Sequence, residues 1–199
     1  MPAIHSVMKP GDFKASFLSS ERDAETILKK LFVQSKPYSD ILKRLLIIDQ
    51  PDCLDNSQAQ YKTLIQGYDL RRLKEEEYIT MTPRMDKLIH ATPQVTILLE
   101  FDDFTPTSNL HYRDCTISFT IICPLDMWEL DDYKLRPHQI AGYIDGILNN
   151  ARLSGIGTLQ FLGGSQLVLD EDYAGFMVRY TATHGNDDKD SFEDEWPLR

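Results

Sequence analysis

The 199-residue chain is 42% hydrophobic and 26% charged, enough apolar sequence for a packed core, so disorder along its whole length is excluded. It holds three cysteines and a net charge of −10, which argues against a disulfide scaffold and against a sequence-independent nucleic-acid binder. The longest apolar runs, near 44–48 and 95–101, fall far short of the ~20 residues of a membrane span, and no membrane partner is expected. The first thirty residues show no basic segment followed by an apolar one, so no secretory signal is expected.

Charge is divided unevenly. Residues 1–90 carry 14 Lys and Arg against 13 Asp and Glu, whereas 91–199 carry 7 against 18. Such asymmetry suggests two surfaces with different jobs, or an acidic face that only aids solubility.

Residues 1–18 read as an extended arm with Pro2, Pro10 and Gly11 and scattered apolar residues. Ser19 and Ser20 can cap a helix, with Asp23 placed as in a capping box. Ala24, Ile27, Leu28, Leu31 and Phe32 then recur at helical spacing. Pro37 ends that helix. In a second helix Ile41, Leu42, Leu45 and Leu46 share a face while Lys43 and Arg44 point away. A third helix is expected from about Ser57 to Tyr68, with Gly67 near its end. These elements define a helical region over 19–75.

Near residue 77 the character changes, and an α/β domain is expected over 76–185. Tyr78–Thr82 is a short strand candidate ending at Pro83. Val95–Phe101 is mostly apolar, with Thr96 and Glu100 the exceptions, and reads as a strand buried on both faces. Cys115–Cys123 (CTISFTIIC) is rich in β-branched residues and is expected to form a hairpin with it. The two thiols would stand about 26 Å apart on one strand, too far for a disulfide.

Pro137 suits the first turn of a helix over 137–151, whose Ile140, Ile144 and Ile147 face the sheet. Gly142 and Gly146 on that helix suggest close approach of another backbone, or simply a weakened helix. Ser154–Gly157 is a turn. Gly163-Gly164 marks a bulge in a strand over 159–169, and Asp170–Tyr173 is a tight acidic turn. Phe176, Val178, Tyr180 and Ala182 alternate as a half-buried strand. Residues 186–199 form an acidic flexible tail. The fold class is α+β, a mostly antiparallel or mixed sheet of four to six strands with the 137–151 helix packed on it.

No constellation for chemistry emerges. None of the five histidines forms HxH or HExxH, and no cysteine lies at zinc-ligand spacing from them, so no metal is expected. The glycines at 155–157 and 163–164 follow a helix and open a strand, the reverse of a phosphate loop. No GxSxG occurs. Asp126, Glu129, Asp131 and Asp132 cluster in LDMWELDD, but no partner base can be named. Neither catalytic residues nor a cofactor are expected.

The stretch from Asp114 to Gly185 carries ISFTIICPLD, a Trp128 loop, LRPHQIAGYIDGILNNARLSGIGTLQF and LGGSQLVLDEDYAGFMVRYTATHG. In this it resembles neck and tail-completion proteins of tailed bacteriophages, most of all the tail terminators. The resemblance implies a non-enzymatic structural virion protein and a ring joining the tail to the head connector. Six copies are implied, or twelve if the chain is instead a head-closure or adaptor protein on the portal side. The implied partners are an adjacent neck or connector ring and tail tube or sheath proteins, with DNA passing unbound through the channel. Assembly would take place in the host cytoplasm and the product would lie in the virion neck. On this reading an acidic side that includes some of Asp102, Asp103, Asp126, Asp131 and Asp132 faces the channel or a partner ring. Arg136 pairs with a carboxylate of its own domain or a neighbour, or else faces solvent. The alternatives from other classes are a small metal-dependent hydrolase using the 126–132 carboxylates and a host-interaction module.

Overall fold

The structure, a computed structural model, describes residues 19–81, 93–107 and 112–185. The 1–18 arm and the 186–199 tail lie outside the described residues. Four helices come first: α1 (Ser19–Lys29), α2 (Tyr38–Ile47), α3 (Ala59–Gln66) and α4 (Leu70–Glu75). A π-helical turn, Lys30–Gln34, extends α1 and buries Leu31 and Phe32. The apolar stripe read from the sequence is buried throughout: Ala24, Ile27, Leu28, Leu31 and Phe32 are all in the core. Pro37 stands at the N-cap of α2. The sequence reading did not separate α4. Its N-cap Asp69 accepts a hydrogen bond from the Arg72 amide at 2.8 Å, which satisfies one of the helix's orphan donors.

The strands are β1 (Ile79–Thr80), β2 (Thr96–Pro106), β3 (Tyr112–Pro124), β4 (Glu129–Leu130), β5 (Lys134–Leu135), β6 (Arg152–Leu153), β7 (Gly157–Thr158), β8 (Gln160–Val168) and β9 (Tyr173–Gly185). The helix α5 (Arg136–Leu148) lies between β5 and β6. The main sheet has the order β1-β2-β3-β9-β8, with β1 parallel to β2 and the other pairings antiparallel. The expected hairpin is β2–β3, in register from Thr96↔Ile122 to Asp102↔Thr116. The expected bulge is a register shift between Phe161 and Gly163.

The odd-numbered residues of β3 and the even-numbered residues of β9 share one face, because Cys115↔Ala182, Phe119↔Val178 and Ile121↔Phe176 are register partners. The helix α5 lies on that face through Ile140, Ile144 and Leu148, all fully buried, with Ile147 partly so. Tyr180 pins the helix to the sheet: its hydroxyl donates to Asp145 Oδ1 at 3.1 Å. Phe119 meets Tyr180 edge-on at 6.0 Å. Leu98, Ser118, Thr120 and Ile122 are also buried, so the β2–β3 centre is covered on both faces.

One hydrophobic cluster runs from Ala24 to Ala182, so the helices of 19–75 and the sheet share a core. Arg136, the first residue of α5, joins them. It is 0% exposed. All five of its N–H donors go to backbone carbonyls: Nε to Met127 (2.8 Å), Nη1 to Leu45 (2.9 Å) and Ile48 (2.6 Å), and Nη2 to Asp49 (3.0 Å) and Gln50 (3.0 Å). Four of those carbonyls lie in and just beyond the last turn of α2, where the helix dipole is negative and the last helical carbonyls have no partner within the helix; the Gln50 carbonyl also accepts from the Cys53 amide (3.3 Å). The expected carboxylate partner is therefore replaced by the end of a helix, and the solvent-facing alternative is also excluded. Arg44 is a second correction. It is buried, and its Nη1 reaches Asp55 O (3.4 Å) and Asn56 Oδ1 (3.3 Å), because the loop after α2 folds over it.

Gly142 and Gly146 have nothing within 4 Å of a Cβ built on them, so among the described residues no backbone outside their own helix approaches them closely. Gly175 is the opposite case. A Cβ there would press into the Ile121 carbonyl oxygen, inside the β3–β9 ladder.

Two stability changes follow. Arg136→Met strips hydrogen bonds from four carbonyls at the end of α2 and should lower unfolding free energy by about 3 kcal/mol or more. Urea titration showing a loss below about 1 kcal/mol would contradict the role assigned to Arg136. Gly175→Ala should cost roughly 2 kcal/mol or more, because β3 and β9 must separate to admit the methyl group. An unchanged urea midpoint would contradict that contact.

Candidate functional site

The sequence-predicted acids form two groups at opposite ends of the sheet. Asp102 and Asp103 are exposed on the outer part of β2, where the register with β3 shifts between Asp102 and Thr105. Asp103 takes a left-handed φ of 52°, an uncommon conformation for a residue with a Cβ. Burial and then the charge of Asp102 raise the pKa of the nearby Glu100 carboxyl.

The second group follows β3. A 3-10 turn (Leu125–Met127) leads into the β4–β5 pair, which is closed by another 3-10 turn, Asp131–Tyr133. Asp126, Glu129, Asp131 and Asp132 are exposed here. The segment is held from beneath. Met127 and Trp128 pack against the core, the Arg136 amide donates to Trp128 O (2.9 Å), and the Asp131 amide donates to Pro51 O (3.1 Å). At the tip Asp132 and Tyr133 both have φ of 59°, and Tyr133 is 104% exposed. Lys134 Nζ lies 3.3 Å from Asp132 Oδ2 on the surface, a contact worth little.

The Asp170–Asp172 turn belongs to this second group, and the sequence-based site set omitted it. The Leu125 amide donates to Asp172 O at 2.8 Å. Burial raises the Tyr173 hydroxyl pKa, and the charges of Asp170, Asp172 and Asp126 raise it further. Asp102 is opposite Thr116, and β3 runs eight residues from there to Pro124, about 27 Å at the usual rise of a strand. The sheet thus carries an acidic group at each end. Arg136 joins neither, since all its donors are used inside the chain.

Among the described residues no cluster of His, Cys, Asp or Glu could hold a metal ion, and no described helix is long and apolar enough to cross a membrane. A groove of about 580 Å³ between α1 and α4 has Leu28, Leu70 and Met81 in its lining. Its charged rim is partly self-paired, through Lys29–Glu25 (2.7 Å) and Arg71–Glu75 (2.7 Å).

The cysteines are free and buried. Burial raises the Cys123 thiol to about 12 and the Cys115 thiol to about 11, from an ordinary 9.0. Burial raises Cys53 too, against the opposing pull of the Arg136 cation.

With this arrangement described, the chain can be placed. It is an α+β protein with one mixed five-stranded sheet and acidic ends, and its residues 39–182 match the YomW family. The chain belongs to the YomW family, a phage-type family. Among curated proteins no relative matches it. Among solved structures it is similar to a chain from the virion of a native gene transfer agent particle, at 11% identity and a TM-score of 0.37, covering 62% of this chain and 90% of that one.

The raised thiol values give a two-part expectation. A thiol reagent in neutral buffer should leave the folded protein unlabelled and should label all three cysteines in urea. Because the folded values lie above the unfolded one, stability is unaffected by these groups below pH 9.0 and falls as pH rises from there towards 12. Labelling of the native protein, or stability that rises over that alkaline range, would contradict the buried placement.

Proposed function

We propose that this chain is a structural virion protein of a tailed phage, a tail-terminator or neck ring subunit that joins the tail to the head connector. The observation that carries the reading is membership of a phage-type family over residues 39–182. The resemblance of 114–185 to tail-completion proteins supports a position in the neck. The acidic groups fit a channel that DNA must cross without sticking. Exposed carboxylates repel phosphate and release no counterions on contact with it. The two groups lie at opposite ends of the sheet, so one of them can face the channel while the other meets an adjacent ring. Six copies are expected, or twelve in a head-closure ring on the portal side. In such a ring each subunit meets the next through two different patches, and closure fixes the rotation between them.

Particle imaging tests this. Cryo-electron microscopy of virions should place a ring of this chain at the head-proximal end of the tail. Finding it absent from the virion, or present as isolated single copies, would overturn the ring reading.

A further inference from the structure

The two edges of the sheet differ in a way that the ring reading does not use. At one edge β1 covers only Ile97 and Leu98 of β2. Beyond them β2 carries Glu100, Asp102 and Asp103, a register shift and Pro106, all features that discourage strand addition. At the other edge β8 pairs with β9 alone among the described strands. Its nine residues hold no Asp, Glu, Lys, Arg or Pro. At its start the Phe161 amide donates to Asn149 Oδ1 (3.3 Å), but from Gly163 to Val168 one side of β8 has no strand beside it among the described residues, which leaves backbone N–H and C=O groups there for a partner.

This edge also exposes apolar surface: Phe161 is 46% exposed, Leu162 55% and Val168 81%. Phe161 lies edge-on to the core ring of Tyr180 at 5.9 Å, so the apolar face of the sheet extends onto its last strand. The one irregularity of β8 is the shift between Phe161 and Gly163, and pairing with β9 runs on from Gly163 to Val168.

We infer that β8 is a strand-pairing edge for a second copy of this chain, joined antiparallel about a two-fold axis. Two observations favour this occupant. An uncharged edge strand sets no like charges against itself, whereas the β2 edge would bring carboxylates and a proline. The ends of β8 are also oppositely charged. The exposed Glu171 and Asp172 follow Val168, and the exposed Arg152 pairs through β6 with Thr158 just before Gln160. Antiparallel pairing sets the acidic turn of one copy beside the Arg152 end of the other. Parallel pairing would bring the two acidic turns together. The contact is isologous, so it is separate from the heterologous contact of a ring and does not depend on that reading.

The test is the solution mass of the full chain by sedimentation across concentration. The wild type should dimerise. Leu162→Lys with Val168→Lys should weaken the dimer about tenfold or more, with unchanged circular dichroism. Arg152→Glu should also weaken it, and adding Glu171→Lys to Arg152→Glu should restore it. Those last two substitutions are on the surface, so they test the contact even if the lysine variant misfolds. A wild-type monomer up to the solubility limit overturns the inference, as does a dimer insensitive to all of these changes. A six- or twelve-fold mass that the lysine variant leaves intact overturns it too, while supporting the ring.

Discussion

A guanidinium with no carboxylate partner holds this fold together. Arg136 starts α5, and its side chain passes into the end of α2, where it meets the carbonyls of Leu45 and Ile48 and, just beyond the helix, those of Asp49 and Gln50. A fifth bond, to Met127, ties the acidic segment before α5 to the same point. Removing a cation from water is costly, and only a full set of acceptors in good geometry offsets that cost. Here every donor has one. The arrangement also places the start of α5 against the end of α2.

The rest follows from that placement. With α5 seated, Ile140, Ile144 and Leu148 cover the inner face of β3 and β9, and Tyr180 reaches Asp145. The absence of a side chain at Gly175 lets β9 lie close against β3. The 125–135 segment is held by Trp128 and by the Pro51 carbonyl, so its carboxylates and Tyr133 stand on a fixed base. The acidic loops thus stand on a packed support.

Much of this was legible in the sequence, and what was missed has a common cause. The α1 stripe, the CTISFTIIC strand, the bulge at Gly163 and the Asp170 turn all depend on neighbours within a few residues, where side-chain periodicity and turn chemistry act. The role of Arg136 depends on carbonyls 86 to 91 residues earlier, and a backbone carbonyl has no letter in the sequence. Arg44 sits on the polar side of its helix by spacing alone, and only the return of the 55–56 loop buries it. The acids at 102–103 and 126–132 read as one surface because they are near in sequence, yet β3 is long enough to hold them apart. The open edge at β8 follows from a strand order that does not follow the chain.

The claim on which this account rests is that helices and sheet are one cooperative unit locked at Arg136. Amide hydrogen exchange as a function of low urea tests it directly. The account predicts that amides of α2, α5, β3 and β9 exchange through the same opening, with one free energy and one urea dependence. Exchange of α2 through a separate opening of lower free energy, while β3 and β9 stay protected, would contradict it.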